Sequence, residues 1–150
     1  MGRLHFNPVL CNRLEEYTAL KYILLGDLRD VLEESADRYT RAWLVAVLDA
    51  LLDTLPREMA LKEDSGYLNE VLDEYPSWYR HVEELQNEER LLFLSLQALR
   101  DRLESSEPYA HAADRVKSAL RQWMNRLSAH HRHENRILQT AMNLEVGVGD

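Results

Sequence analysis

Near the C-terminal end of the chain stands His130-His131-Arg132-His133-Glu134. Imidazoles and carboxylates bind metal ions, exchange protons and pair as ions, and their spacing decides which of these is open to them. His130 and Glu134 are four apart, so a helix places them one turn apart on one face. The same face carries Val116, Leu120, Trp123, Leu127, Ile137 and Ala141, at alternating steps of four and three. That alternation is the seam of a helix packed in a bundle. A His and a Glu aimed into a core cost roughly several kcal/mol unless they find partners there. The pattern therefore predicts ionisable side chains on the neighbouring helices.

The rest of the chain supplies them. Asn7-Pro8 can cap and open a first helix, with proline at its first position. Its seam is Leu10, Leu14, Tyr17, Lys21, Leu24, Leu28 and Val31, with Lys21 the only charge. A turn must fall near Ser35-Ala36-Asp37, because one helix from Pro8 to Leu55 would be about 70 Å long. The second seam runs Leu44, Leu48, Leu51, Leu55, Glu58 and Lys62, ending in two charges. Pro56 is expected to kink or restart this helix, and Ser65-Gly66 to stop it. Tyr67 to Tyr75 reads as a short connecting helix. Pro76-Ser77 opens a third long helix, with Trp78, Val82, Leu85, Glu89, Leu92, Leu96, Leu99 and Leu103 in its seam. Glu89 is its one charge. Ser105-Ser106-Glu107-Pro108 is the next break, with Ser106 as cap. A fourth helix runs from there to Asn143, with Gly147 and Gly149 after it.

Four amphipathic segments with short connections predict an all-α, antiparallel up-down four-helix bundle, a single domain over residues 1–150. Helices two and four then run the same way and helix three the opposite way. This brings Lys21, Glu58, Lys62, Glu89, His130 and Glu134 to comparable height. One buried ionic cluster is the simplest account of charges interrupting every seam. No strand alternation, internal repeat or low-complexity stretch is present.

Bulk composition bounds the partners. The chain has 150 residues, 45% hydrophobic and 29% charged, with a net charge of -8. Nothing is organised as a basic face, which argues against nucleic acid. No apolar run approaches about 18 residues, so no membrane span is expected. Met1 to Leu10 does not read as a signal peptide, and Phe6 stands where a myristoylation signal wants Ser or Thr. Cys11 is the single cysteine. It has no internal disulfide partner, and a reducing, cytoplasmic setting is expected.

At these residues the chain resembles the hemerythrin-like (HHE) cation-binding family, from the second helix onward. The last-helix stretch His130 to Gln139, followed by Val146-Gly147, is similar to the family's final helix, where a His and a Glu four later bind metal. Met59-Ala60-Leu61-Lys62-Glu63 with Gly66-Tyr67-Leu68 is similar to its segment in which a His is followed four later by a Glu. Leu85 to Leu91 is similar to a stretch that presents a His. Carried over position by position, Glu58 stands in place of a His, Lys62 in place of its carboxylate partner, and Glu89 in place of another His. Leu24 aligns with the first-helix His. Only His130 and Glu134 keep the family's residue types. The resemblance implies the bundle fold. It implies a di-iron, oxygen-binding centre poorly, because the imidazoles are missing.

Two readings of the cluster follow. In the first, no metal is held: ammonium groups of Lys62 and Lys21 lie among Glu58, Glu89 and Glu134, and a buried salt-bridge network has replaced the cation. Such networks fix register more surely than they add stability. In the second, Glu58, Glu89, His130 and Glu134 give three oxygens and one nitrogen to a single Fe, Mn or Zn ion, with Glu63 able to substitute if Pro56 rotates the helix end. An ammonium beside that cation would be repulsive. A third, plainer arrangement has His130 and Glu134 bonded only to each other.

The other candidates read as ordinary structure. His81 with Glu84, and His111 with Asp114, are surface pairs three apart. His131 and His133 flank the seam and belong at its boundary or outside it. Trp78 and Trp123 are core aromatics. Cys11 has no activating base nearby in sequence. No nucleophile-base pair or phosphate loop supports an enzyme. What remains is a regulatory or interaction module, with a protein partner or a second copy of itself, or in the second reading a metal sensor or store.

Overall fold

The computed structural model describes residues 8–65, 68, 72–73, 75–105 and 109–149, with side chains at 105, 109–111 and 141–149 left aside. It is an all-α bundle of four long helices: α1 Pro8–Leu32, α2 Arg38–Asp64, α3 Tyr79–Ser105 and α4 Tyr109–Gly149. A single 3-10 turn, Pro76–Trp78, leads into α3. Among the described residues there is no strand. The expected connecting helix over 67–75 and the cap at Ser106 fall largely outside the described residues, as does Asn7.

Cross-links fix the topology. Glu58 of α2 meets Lys21 of α1, Glu89 of α3 meets Lys62 of α2, and His130 of α4 meets Glu89. Further along, Arg100 meets Asp49, Trp123 meets Leu92 and Arg121 meets Leu32. For α2–α3, α3–α4 and, with Lys21 against His131, α1–α4, one number rises as the other falls, and the short turn from Leu32 to Arg38 folds α2 back on α1, so neighbours are antiparallel and the diagonal pairs run parallel. This is the up-down order that short connections dictate.

The turn between α1 and α2 needs neither Gly nor Pro because Asp37 caps α2. Its carboxylate accepts from the backbone N–H groups of Tyr39 and Thr40, both at 2.9 Å, and Thr40 Oγ1 accepts from the Asp37 N–H at 2.9 Å. This reciprocal box satisfies donors that the first helical turn leaves open. The carbonyls at the other end of α1 are met by cations of α4: Arg121 donates to Leu32 O, and Lys117 to Glu34 O. Arg41 does the same for the end of α3, donating to Leu103 O and Glu104 O. Cations at helix C-termini also complement the helix dipole.

Two expectations are corrected. Pro56 does not restart α2, which is one helix from Arg38 to Asp64. The Pro56 ring is exposed, while Leu51 and Leu55 hold the helix to the core. The fourth helix does not end at Asn143 but continues through Gly147 to Gly149. A glycine costs a propagating helix only about 1 kcal/mol relative to alanine.

Most of the predicted seam positions are core, whereas Leu10, Tyr17 and Trp78 are only half-buried. Leu28, Leu48, Leu51, Leu96, Leu103 and Leu120 have no exposed surface, and Trp123 is 1% exposed with its Nε1 donating to Leu92 O at 2.8 Å. The apolar interior is divided in two. The larger cluster includes Leu24, Leu55, Leu92 and Leu127; the smaller holds Leu68, Val82, Leu85 and Ile137. Along the helices, the residues between these two sets are the ionisable ones.

Candidate functional site

A polar layer crosses the bundle between the two apolar clusters. All four helices contribute: Lys21 from α1, Glu58 and Lys62 from α2, Glu89 from α3, and His130 and Glu134 from α4. Lys21, Glu58, Lys62, His130 and Glu134 are buried, and the Glu89 side chain is 16% exposed. The six residues singled out in the sequence thus converge.

Lys62 is the hub. Its Nζ donates to Glu89 Oε1 at 2.9 Å and to Glu134 Oε2 and Oε1 at 3.0 and 3.2 Å, and lies 3.9 Å from Glu58 Oε1. Burial alone would lower the pKa of this ammonium, but Glu134, Glu89 and Glu58 outweigh it and hold the Lys62 pKa above its ordinary value. Lys62 is therefore a fixed cation at the centre of three carboxylates.

Lys21 forms the second centre. Its Nζ is 2.8 and 3.0 Å from the two Glu58 oxygens and 2.9 Å from His131 Nε2. Thr18 Oγ1 adds a bond to Glu58 Oε2 at 2.7 Å. Burial would raise the Glu58 carboxyl, but Lys62, Lys21 and these hydrogen bonds bring it below the ordinary value. For Lys21 the balance goes the other way: burial dominates over Glu58, and the pKa is lowered. His131 is pushed down to about 3, first by burial and then by the Lys21 and Lys62 charges. It is a neutral imidazole accepting at Nε2, with its Nδ1 3.5 Å from Tyr22 Oη.

The third centre is His130. Nδ1 lies 2.6 Å from Glu88 Oε1 and Nε2 3.3 Å from Glu89 Oε1, whereas Glu134 Oε2 is 3.9 Å away. The pair His130–Glu134 is therefore not self-contained. Burial opposes the imidazolium, but the bonds to Glu89 and Glu88 prevail and raise the His130 pKa. Burial likewise opposes the Glu89 anion, and the His130 bond and the Lys62 charge overcome it, carrying the carboxyl down to about 2. With His130 protonated, Lys21, Lys62 and His130 face Glu58, Glu89 and Glu134, and the more exposed Glu88 adds a fourth carboxylate at the rim. Among the described residues, every buried side-chain nitrogen and oxygen has a hydrogen-bond partner.

Three members of the layer were not expected: Thr18, Glu88 and His131. Thr18 is one turn before Lys21, and Glu88 and His131 are next to seam residues. For Glu88 and His131 the one signal in the sequence is their place beside Glu89 and His130. Conversely, Glu63 is exposed and does not join the layer. Leu24 lies in the larger apolar cluster. His133 is half-buried, on a groove between α3 and α4 that Glu88 also lines. His81 is exposed, and the His111 side chain lies outside the description.

Glu89, His130 and Glu134 offer ligand atoms within 4.8 Å of one another. The donor set suits Fe, Mn or Zn by type. It does not fit such an ion as arranged, because Lys62 Nζ is already 2.9 Å from Glu89 and 3.0 Å from Glu134.

On the α1 side the layer is open. A cleft of about 500 Å³ between α1, α2 and α4 reaches down to Lys21, Glu58, Lys62 and His131, with Cys11, Leu14, Ala19 and Tyr22 on its walls. Among the described residues, no helix is long and apolar enough to cross a membrane. No family model matches the chain, and neither a curated protein nor a solved structure matches it.

Proposed function

We propose that the chain is a hemerythrin-like bundle in which side-chain ammonium groups stand in for metal, and that it acts as a non-catalytic regulatory or interaction module. One observation carries this reading: Lys62 Nζ lies 2.9 to 3.9 Å from Glu89, Glu134 and Glu58, where a cation bridging those carboxylates would have to be. An ammonium there neutralises the carboxylates without coordination chemistry, so neither oxygen binding nor metal-centred catalysis follows from it. The partner is a protein or a second copy of the chain, and the setting is cytoplasmic. Stoichiometric Fe(II), Mn(II) or Zn(II) should leave the melting temperature unchanged, and a saturable rise would overturn the reading.

A second reading keeps one metal ion on Glu89, His130 and Glu134, with Glu58 nearby. It is favoured by the mutual reach of those three ligands and requires Lys62 to swing away or lose its proton. Elemental analysis of protein purified without chelators decides between them: about one equivalent of metal supports the second, and under roughly a tenth supports the first.

A further inference from the structure

The chain has three lysines among its 18 Lys and Arg residues: Lys21, Lys62 and Lys117. Arginine serves almost everywhere else, yet two of the three lysines are buried in the polar layer. An ammonium differs from a guanidinium in one chemical respect that matters here: it can give up a proton and become a nucleophile. The two buried lysines are not equivalent. Lys62 is ringed by three carboxylates, Glu89, Glu134 and Glu58, at 2.9, 3.0 and 3.9 Å. Lys21 faces one carboxylate and a neutral imidazole, and lines the floor of the 500 Å³ cleft. That volume falls in the range of ~300–1,000 Å³ usual for small-molecule sites.

We propose that this cleft captures a small apolar aldehyde as an imine on Lys21, with His131 as proton acceptor and Glu58 as counter-ion of the product. His131 Nε2 is 2.9 Å from Lys21 Nζ, within reach of the proton to be removed. The freed electron pair of Nζ attacks the carbonyl carbon. A second proton moves from nitrogen to the carbonyl oxygen, His131 returns its proton to the resulting hydroxyl, and water leaves. The balance is ammonium plus aldehyde giving iminium plus water, with no oxidant or reductant. The iminium keeps the positive charge that Glu58 Oε2 faces at 2.8 Å, so the charge balance of the layer is unchanged.

The lining also selects the ligand. No arginine is among the described residues of the cleft, and its two lysines are engaged by carboxylates. A phosphate or carboxylate on the ligand would find no uncommitted cation. Leu14, Ala19 and the ring of half-exposed Tyr22, whose centroid is 5.2 Å from Lys21 Nζ, suit an uncharged tail.

The inference rests on the metal-free reading of the layer, which metal addition tests separately. The full chain is incubated with hexanal and sodium cyanoborohydride, and alkylated amines are mapped by mass spectrometry. The Lys21 adduct should form at least about tenfold faster than that on Lys117. Equal or slower alkylation of Lys21, in protein whose melting temperature ignores metals, overturns this inference and leaves the metal-free reading standing. Lys21→Arg keeps a cation on Glu58 and should retain the fold while abolishing the preferred adduct. His131→Gln should slow its formation about tenfold or more, and a wild-type rate overturns the role given to His131. Glyoxylate, a charged aldehyde, should show no preference for Lys21; a preference equal to that of hexanal overturns the apolar class.

Discussion

Lys62 and Glu134 meet across the diagonal of the bundle: the Lys62 ammonium is 3.0 and 3.2 Å from the two Glu134 oxygens, joining α2 to α4, which run the same way. Diagonal helices do not pack directly, so this contact ties together elements that apolar side chains alone would leave in separate pairs. It also brings three carboxylates close to one positive charge. Each carboxylate in such a set would repel the others strongly at low dielectric without that charge.

Lys62→Ala should therefore destabilise the chain by about 3–5 kcal/mol, the usual cost of leaving buried charge unpaired. It should also open the space that a cation needs beside Glu89, His130 and Glu134. Added Zn(II) or Mn(II) should then raise the melting temperature of Lys62→Ala and leave that of the parent protein alone. Thermal melts of both proteins with and without metal check this. A variant that loses stability but stays indifferent to metal would show that the carboxylates do not form a latent site.

The pH profile follows from opposite shifts in neighbouring groups. His130 is raised above its ordinary 6.5, so its contribution is complete below that value and is lost as pH rises through the folded pKa. His131 is lowered to about 3, so the unfolded chain takes up its proton first and stability falls as pH drops below 6.5. Glu58 and Glu89 are lowered from 4.5, so their contribution is present above 4.5 and is lost as pH falls through their folded values. Stability should be greatest near neutrality, decline gently toward acid below 6.5, and decline more steeply below 4.5. His131→Gln should flatten the first decline, and His130→Gln the decline on the alkaline side. Melting temperatures measured across pH test both, and a His131→Gln profile parallel to the parent's would refute the assignment.

The sequence carried the bundle and the layer together because both are written in the same period. Leu55 to Glu58 to Lys62, and Leu127 to His130 to Glu134, are continuous steps of one seam. A charge on such a step must enter the core with its neighbours. The side chains missed lie off that line. Whether Glu88 or His131 turns inward depends on how far each helix is rotated about its axis, which periodicity fixes only to within a neighbouring position. The restart expected at Pro56 is absent for a related reason: local propensity argues for it, while Leu51 and Leu55 on the core side hold one continuous helix. The Asp37–Thr40 box was legible as residue types but carried no Gly or Pro to attract attention.

The pair Lys21–Glu58 distinguishes register from stability. Lys21→Met leaves Glu58 with Thr18 at 2.7 Å and Lys62 at 3.9 Å as its remaining partners, and should cost about 3 kcal/mol. Glu58→Met leaves the Lys21 ammonium facing only His131 in this layer and should cost a similar amount, about 3 kcal/mol. The double variant removes both charges, while Lys62 retains Glu89 and Glu134. It should recover to within about 1 kcal/mol of the parent, because desolvation of both ions disappears with them. Urea denaturation of the four proteins closes the cycle. If the double variant is no more stable than either single variant, the charged pair outperforms its apolar replacement, and the account of a layer kept for alignment rather than for strength is wrong.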